Sequence, residues 1–156
     1  METIISKINK YVEIALGIIM SSVVILTSVE VFLRYIFGKS LLWSNELNRF
    51  LFIWLVFLGA SVGCYNGSHL CMDVFLTKIR GKNRRILNTI ISLSTLIIIF
   101  IMIVYGFYIT KKTMIQIYPV LKIPMGYAYL SIPVSSCLMF IYTIFNSIKN
   151  IRAGRK

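Results

Sequence analysis

Chemistry in a protein usually starts with charged, thiol or imidazole side chains, and this chain is sparing with most of them. It carries 5 acidic residues against 17 basic ones and a single histidine, for a net charge of +12. Glu30 is followed at i+4 by Arg34, with the acid N-terminal to the base, the favourable order on a helix. Glu13 follows Lys10 by one helical turn, and Arg49 follows Glu46 in the same way. His69 and Asp73 are four apart and can pair, but no credible nucleophile stands beside them, so the catalytic signal is weak. Cys64, Cys71 and Cys137 form no CxxC pair. His69 with Cys71 offers too few ligands for a structural zinc site, and the three cysteines read as small apolar residues. The chain also shows no phosphate-binding glycine loop, no Ser/His/Asp set and no internal repeat. No enzyme, metal centre or bound cofactor is expected.

What those charges can do depends on the elements that carry them. Of the 156 residues 58% are hydrophobic and 14% charged, against about 45–50% and 25% in soluble domains. The excess sits in four long runs, residues 11–33, 47–65, 86–109 and 130–148, each near the roughly 20 helical residues that cross a bilayer core. Backbone polar groups in lipid must be satisfied internally, so each run is a helix or a strand of a closed barrel. Barrel strands would be about 10 residues long and would alternate in polarity; these runs do neither. The expected architecture is an all-α membrane protein, one transmembrane domain over residues 1–156 built as a bundle of four helices. The first run is longer than a signal peptide's apolar region and leads into Arg34, Tyr35 and Phe37 without a cleavage site.

Within this frame Glu30 and Glu13 fall toward opposite ends of the first span, where interfacial ion pairing explains them better than proton coupling. Lys7, Lys10, the basic residues of the middle loop (Lys78, Arg80, Lys82, Arg84, Arg85) and those of the C-terminal tail (Lys149, Arg152, Arg155, Lys156) lie on one side of the membrane. Arg34, Lys39, Arg49, Lys111, Lys112 and Lys122 lie on the other. The richer side is the cytoplasmic one, which places both termini and the middle loop there. The positive charge thus serves topology and contact with anionic phospholipid, not nucleic acid.

The loops and small residues hint at a partner. Ser44 is a plausible N-cap for the second helix, with Glu46 in its first turn. The same charges suit a contact site, and Trp43 suits the aromatic belt. Gly59, Gly63 and Gly67 recur every four residues and let another helix approach closely, from this chain or from another subunit. The middle loop, residues 67–85, mixes apolar and basic residues as an amphipathic cytoplasmic segment does. The outer loop 110–129 is unusually apolar, and Pro119 and Pro124 break any helix in it. Pro133 sits where a helix start tolerates proline. An exposed apolar loop calls for cover by lipid or protein. No span is interrupted at mid-membrane as in many carriers that hold their own substrate.

Taken in order, Glu30-Val-Phe-Leu-Arg34-Tyr-Ile-Phe-Gly38, Trp43-Ser-Asn-Glu46-Leu-Asn-Arg49, Phe52-Ile-Trp54-Leu-Val-Phe-Leu-Gly59-Ala60, Gly67-Ser-His69 and Ile123-Pro124-Met-Gly-Tyr-Ala-Tyr129-Leu-Ser-Ile-Pro133 resemble the small membrane subunit of tripartite ATP-independent periplasmic (TRAP) transporters. The likeness runs over about residues 25–140. Where that family often has two adjacent acids before the second helix, this chain has Asn45 and then Glu46. The resemblance implies a non-enzymatic scaffold in a bacterial inner membrane. It pairs with a large, elevator-type multi-span subunit that holds the substrate and sodium sites, and a periplasmic solute-binding protein delivers an organic acid such as a dicarboxylate or sialic acid. It further implies scaffold or interface roles for Arg34, Trp43, Glu46, Arg49, Gly59, Gly63, His69, Asp73, Pro124, Tyr129 and Pro133. Two other readings of four short helices compete with it. A homodimeric proton-coupled exporter would need an acid deep in the first span, and Glu13 is close to the helix start. A quinone-linked thiol oxidoreductase would need paired outer-side cysteines, and none exist.

Overall fold

The computed structural model describes residues 2–38, 41–66 and 82–153. Its spanning elements are α1 (Glu2–Phe37), α2 (Leu42–Tyr65), α3 (Lys82–Thr113) and α5 (Ser131–Ala153), the last preceded by a single turn, α4 (Gly126–Tyr129). Four stretches are long and apolar enough to cross a membrane: Ile5–Phe37, Leu42–Tyr65, Leu93–Thr113 and Gly126–Ser147. The protein is a multi-pass membrane protein of four spanning helices.

Each helix overruns the apolar run that announces it. Hydropathy marks the part of a helix that lies in lipid, while Lys, Glu and Asn continue a helix into the headgroups without breaking it. α1 therefore begins far ahead of residue 11, and its 33-residue apolar stretch measures about 50 Å, more than a bilayer core. It ends where Gly38 adopts a left-handed φ of 63°, a position glycine fills without steric penalty. α3 likewise absorbs residues 82–85, expected as the end of the middle loop. Residues 67–81, with the rest of that amphipathic segment, His69, Asp73, Cys71 and Gly67, lie outside the described residues.

α5 is the central strut. It packs against both α2 and α3, while α1 leans on α2 alone among the major contacts. Accordingly the most apolar stretch of the last span is 44% buried and that of the first only 6%. At the end of the bundle that carries the termini, Cys64, Ile99, Met139 and Tyr142 form the core, and Ile5, Tyr65 and Ile103 pack around it. Tyr65 meets Tyr142 edge-on, with ring centroids 5.3 Å apart. Asn146 Nδ2 donates to the carbonyls of Cys64 (3.0 Å) and Tyr65 (3.3 Å), two of the last carbonyls of α2 that a helix cannot satisfy itself.

Toward the opposite end α3 and α5 close to backbone contact. A Cβ on Gly106 would lie 3.0 Å from Ile132 Cγ2 and 3.1 Å from Pro133 Cδ. Two hydroxyls there return their protons to their own helices, Thr110 to the Gly106 carbonyl (2.8 Å) and Ser136 to that of Ile132 (2.7 Å). Small, self-satisfied side chains are what close packing in lipid requires. Pro133, the third residue of α5, is fully buried at this seam. Gly59 has no such role, since a Cβ on it would meet nothing within 4 Å, and Gly63 is half-buried. The four-residue glycine spacing on α2 is thus not what brings two helices of this chain together at Gly59. Cys64 is buried, but Cys137 is exposed on the outside of α5.

Candidate interaction site at the loop face

At one end of the bundle two acids tie sequence-distant elements together, Glu30 linking α1 to α2 and Glu46 linking α2 to the segment between α3 and α4. Glu30 is buried at 5% exposure. Its Oε1 accepts from Arg34 Nη2 at 2.7 Å and its Oε2 from Ser44 Oγ at 3.0 Å. Arg34 keeps 55% of its side chain exposed, so the charge it brings to the buried carboxylate is anchored from the surface. The expected Glu30–Arg34 pair is present. Ser44, expected as a helix cap, is not one: α2 begins at Leu42, the residue before it is Leu41, and Ser44 lies inside the first turn with its hydroxyl committed to Glu30. A carboxylate buried in an apolar bundle needs every donor in reach, and this demand outcompetes local capping. Asn48 adds a second polar link from α2 to α1, donating to Thr27 Oγ1 at 3.3 Å.

Glu46 is likewise displaced from its expected place, since no acid occupies the first turn of α2. Its carboxylate reaches instead to the distant loop. The Val120 N–H is shared between Oε1 and Oε2 at 3.1 Å each, and the Leu121 N–H donates to Oε2 at 2.9 Å. The target is a compact hairpin over residues 114–125. Ile117 and Pro124 form an antiparallel bridge. The Tyr118 N–H donates to Ile123 O (3.0 Å) and the Met125 N–H to Gln116 O (2.8 Å). Lys122 turns the tip with a φ of 55°, leaving the N–H groups of Val120 and Leu121 free for Glu46. The prolines exclude helix here as expected, with Pro124 in the bridge. Trp54 Nε1 donates to Tyr127 O at 3.2 Å, a second tie from α2 to the start of the last span.

Tyr118 is the hairpin's inward anchor, 3% exposed. Burial pushes its hydroxyl above the usual tyrosine range, an effect the positive charge of Arg49 opposes and the negative charge of ionised Tyr129 and Glu46 reinforces. Arg49, Glu46 and Asn45 share an open cleft with Tyr118, Pro119 and Met125. Arg49 does not pair with Glu46 and is exposed. Trp43 is 40% exposed on the first turn of α2, and Tyr129 is half-buried in α4. Outward from the hairpin point Ile115 (85% exposed), Ile117 (57%) and Val120 (44%), the apolar surface expected of this loop. Glu13, the acid the exporter reading needs, is exposed near the other end of α1 and accepts from Asn9 Nδ2 at 2.7 Å.

The structure therefore gathers Glu30, Arg34, Glu46, Arg49, Pro124 and Tyr129 at one rim, places Pro133 at the α3–α5 seam, and leaves Gly59 facing outward. Sequence reasoning missed Tyr118, Trp54, Asn146 and Gly106, whose partners lie far along the chain or on another helix.

Comparison with known proteins agrees with this architecture. Residues 23–153 match the family model described as tripartite ATP-independent periplasmic transporters, DctQ component. The chain is 28% identical over 152 residues to the ectoine TRAP transporter small permease protein TeaB of Halomonas elongata, covering 96% of this chain and 77% of TeaB. It is 28% identical over 144 residues to a putative TRAP transporter small permease protein of Haemophilus influenzae, covering 92% and 89% respectively. It is also 26% identical over 148 residues to the sialic acid TRAP transporter permease protein SiaT of Haemophilus influenzae, where the match covers 95% of this chain but 24% of SiaT. With four spanning helices, and with a family match that takes in all of α2, α3 and α5, this chain belongs to the DctQ component family of tripartite ATP-independent periplasmic transporters, a non-enzymatic family of small permease subunits.

Proposed function

We propose that this chain is the fixed frame of a binding-protein-dependent, sodium-coupled importer in a bacterial inner membrane. It pairs with a large multi-span permease subunit that carries the substrate and the sodium ions, and it binds no cofactor or cargo of its own. A periplasmic solute-binding protein delivers an organic acid, a dicarboxylate or a sialic acid, to that partner. Both termini and the middle loop face the cytoplasm on the strength of the basic residues there, so the hairpin faces the periplasm.

The observation that carries this reading is the cross-bracing of the loop face. Glu46 and Trp54 of α2 hold the hairpin and the start of the last span, and Glu30 of α1 holds Ser44 of α2. An elevator moves against something that does not, and polar ties between sequence-distant elements make such a support stiff. SiaT supports the pairing, because the segment similar to this chain is a quarter of a longer permease there. The relatives are named for ectoine, sialic acid and C4-dicarboxylates, which fits selectivity residing in another chain.

The test is purification from native membranes in mild detergent, followed by reconstitution. A large multi-span protein should co-purify, and liposomes holding this chain alone should carry no solute down a sodium or proton gradient. Recovery of self-dimers only, or ion-driven transport by the chain alone, would overturn the proposal and favour a homodimeric exporter.

A further inference from the structure

Arg49 is a charge the fold does not account for. α2 is a spanning helix, and Arg49 lies about 10 Å along its axis from Leu42. A 24-residue helix is about 36 Å long and overhangs a 30 Å core by only about 3 Å at each end. On a helix centred in the core the Arg49 backbone falls just inside the hydrocarbon, with the headgroups within reach of its side chain. A guanidinium that reaches back to the interface from a spanning helix meets phosphate oxygens there and is best satisfied by an anionic group. Yet Arg49 is exposed and makes no hydrogen bond or ion pair among the described residues. The nearest acid in sequence, Glu46, turns its carboxylate to the N–H groups of Val120 and Leu121 and makes no ion pair with Arg49.

The surroundings of Arg49 specify what would complete it. The cleft of about 370 Å³ combines this cation and the Glu46 carboxylate with an apolar floor of Tyr118, Pro119 and Met125. Its volume suits a headgroup and its glycerol better than a folded protein segment. A simple anion placed on Arg49 would sit beside the negative charge of Glu46. A zwitterion would not suffer this, because its cationic end can meet the acceptor sites on Glu46 that two N–H donors leave open. We propose that this cleft seats one phosphoethanolamine-headed phospholipid of the hairpin-side leaflet, with its phosphate on Arg49 and its ammonium toward Glu46. The lipid then plugs the gap between α2 and the hairpin. The inference rests on the chain spanning a membrane, and it stands whether or not the large permease is the partner.

Native mass spectrometry of the full chain from mixed-lipid nanodiscs reads this directly. The wild-type protein should retain one phosphatidylethanolamine in preference to phosphatidylglycerol and should retain no diacylglycerol of the same chains. Arg49→Gln should weaken retention about tenfold or more, as expected for loss of a charge-assisted hydrogen bond, and Arg49→Lys should keep most of it. Size exclusion and circular dichroism verify that each variant is folded. If Arg49→Gln does not fold, the wild-type headgroup comparison decides by itself. Equal retention of the three lipids, a preference for phosphatidylglycerol, or unchanged retention in folded Arg49→Gln would overturn the proposal. So would loss of the co-purifying large permease from Arg49→Gln with lipid retention unchanged, since Arg49 would then answer to an acid on that protein.

Discussion

Glu30 and Glu46 solve the same problem in different ways. Each is a carboxylate close to or inside an apolar bundle, where an ionised group without partners is prohibitively expensive. Glu30 takes a cation from its own helix and a hydroxyl from the next, whereas Glu46 takes backbone N–H groups from a loop some 74 residues away. The consequences of mutation differ accordingly. Arg34→Gln strips the cation from a buried carboxylate and should cost about 1–3 kcal/mol, less than a fully buried pair because Arg34 is half exposed. Glu30→Gln removes the charge together with its need and should cost less; thermal unfolding of both variants in one detergent gives the order. Glu46→Gln keeps an acceptor but loses the charge, and Glu46→Ala loses both. The N–H groups of Val120 and Leu121 should exchange with deuterium faster in that order, by about tenfold or more for Ala. Unchanged exchange in Glu46→Ala would remove the carboxylate as the hairpin's tether.

Among the helices, the seam between α3 and α5 is decided by one missing side chain. Gly106 lets Ile132 and the Pro133 ring approach to 3.0–3.1 Å of where a Cβ would stand. Proline has no flexible end to move aside, so the helices themselves must part. Gly106→Ala should destabilise by about 1–3 kcal/mol, and Gly106→Val by more, as overpacking does. Gly59→Ala meets open space and should be neutral or slightly stabilising in the isolated chain, because alanine is the better helix former. Loss of co-purifying partner from Gly59→Ala, with the isolated chain unharmed, would assign Gly59 to the intersubunit contact. The spacing of glycines made α2 conspicuous, yet Gly106 stands alone in α3, and a single glycine in a long apolar run announces nothing.

Across the whole molecule, burial is uneven. α5 is wrapped by its neighbours, while α1 shows most of its surface to the surroundings. Met139, 6% exposed, should cost about 2–5 kcal/mol when cut to alanine. Ile18, 63% exposed, should cost almost nothing in detergent. Equal penalties at the two sites, measured by unfolding, would mean that α1 is packed as firmly as α5.

Composition and run length decided the four helices, because a bilayer admits few alternatives to an apolar stretch of that size. The local Glu30–Arg34 pair and the helix-free stretch around Pro119 and Pro124 were legible for a related reason, although helix takes both ends of the expected loop 110–129: i,i+4 neighbours and proline's missing N–H act within one turn of chain. The roles of Ser44 and Glu46 were not legible. Local rules assign a serine and an acid near a helix start to capping, but here the stronger demands come from a buried carboxylate and from a loop that only folding brings near. The same holds for Tyr118, Trp54, Gly106 and Asn146. Hydropathy states that a residue is in the membrane, and only the packing of one helix on another states which atoms it meets there.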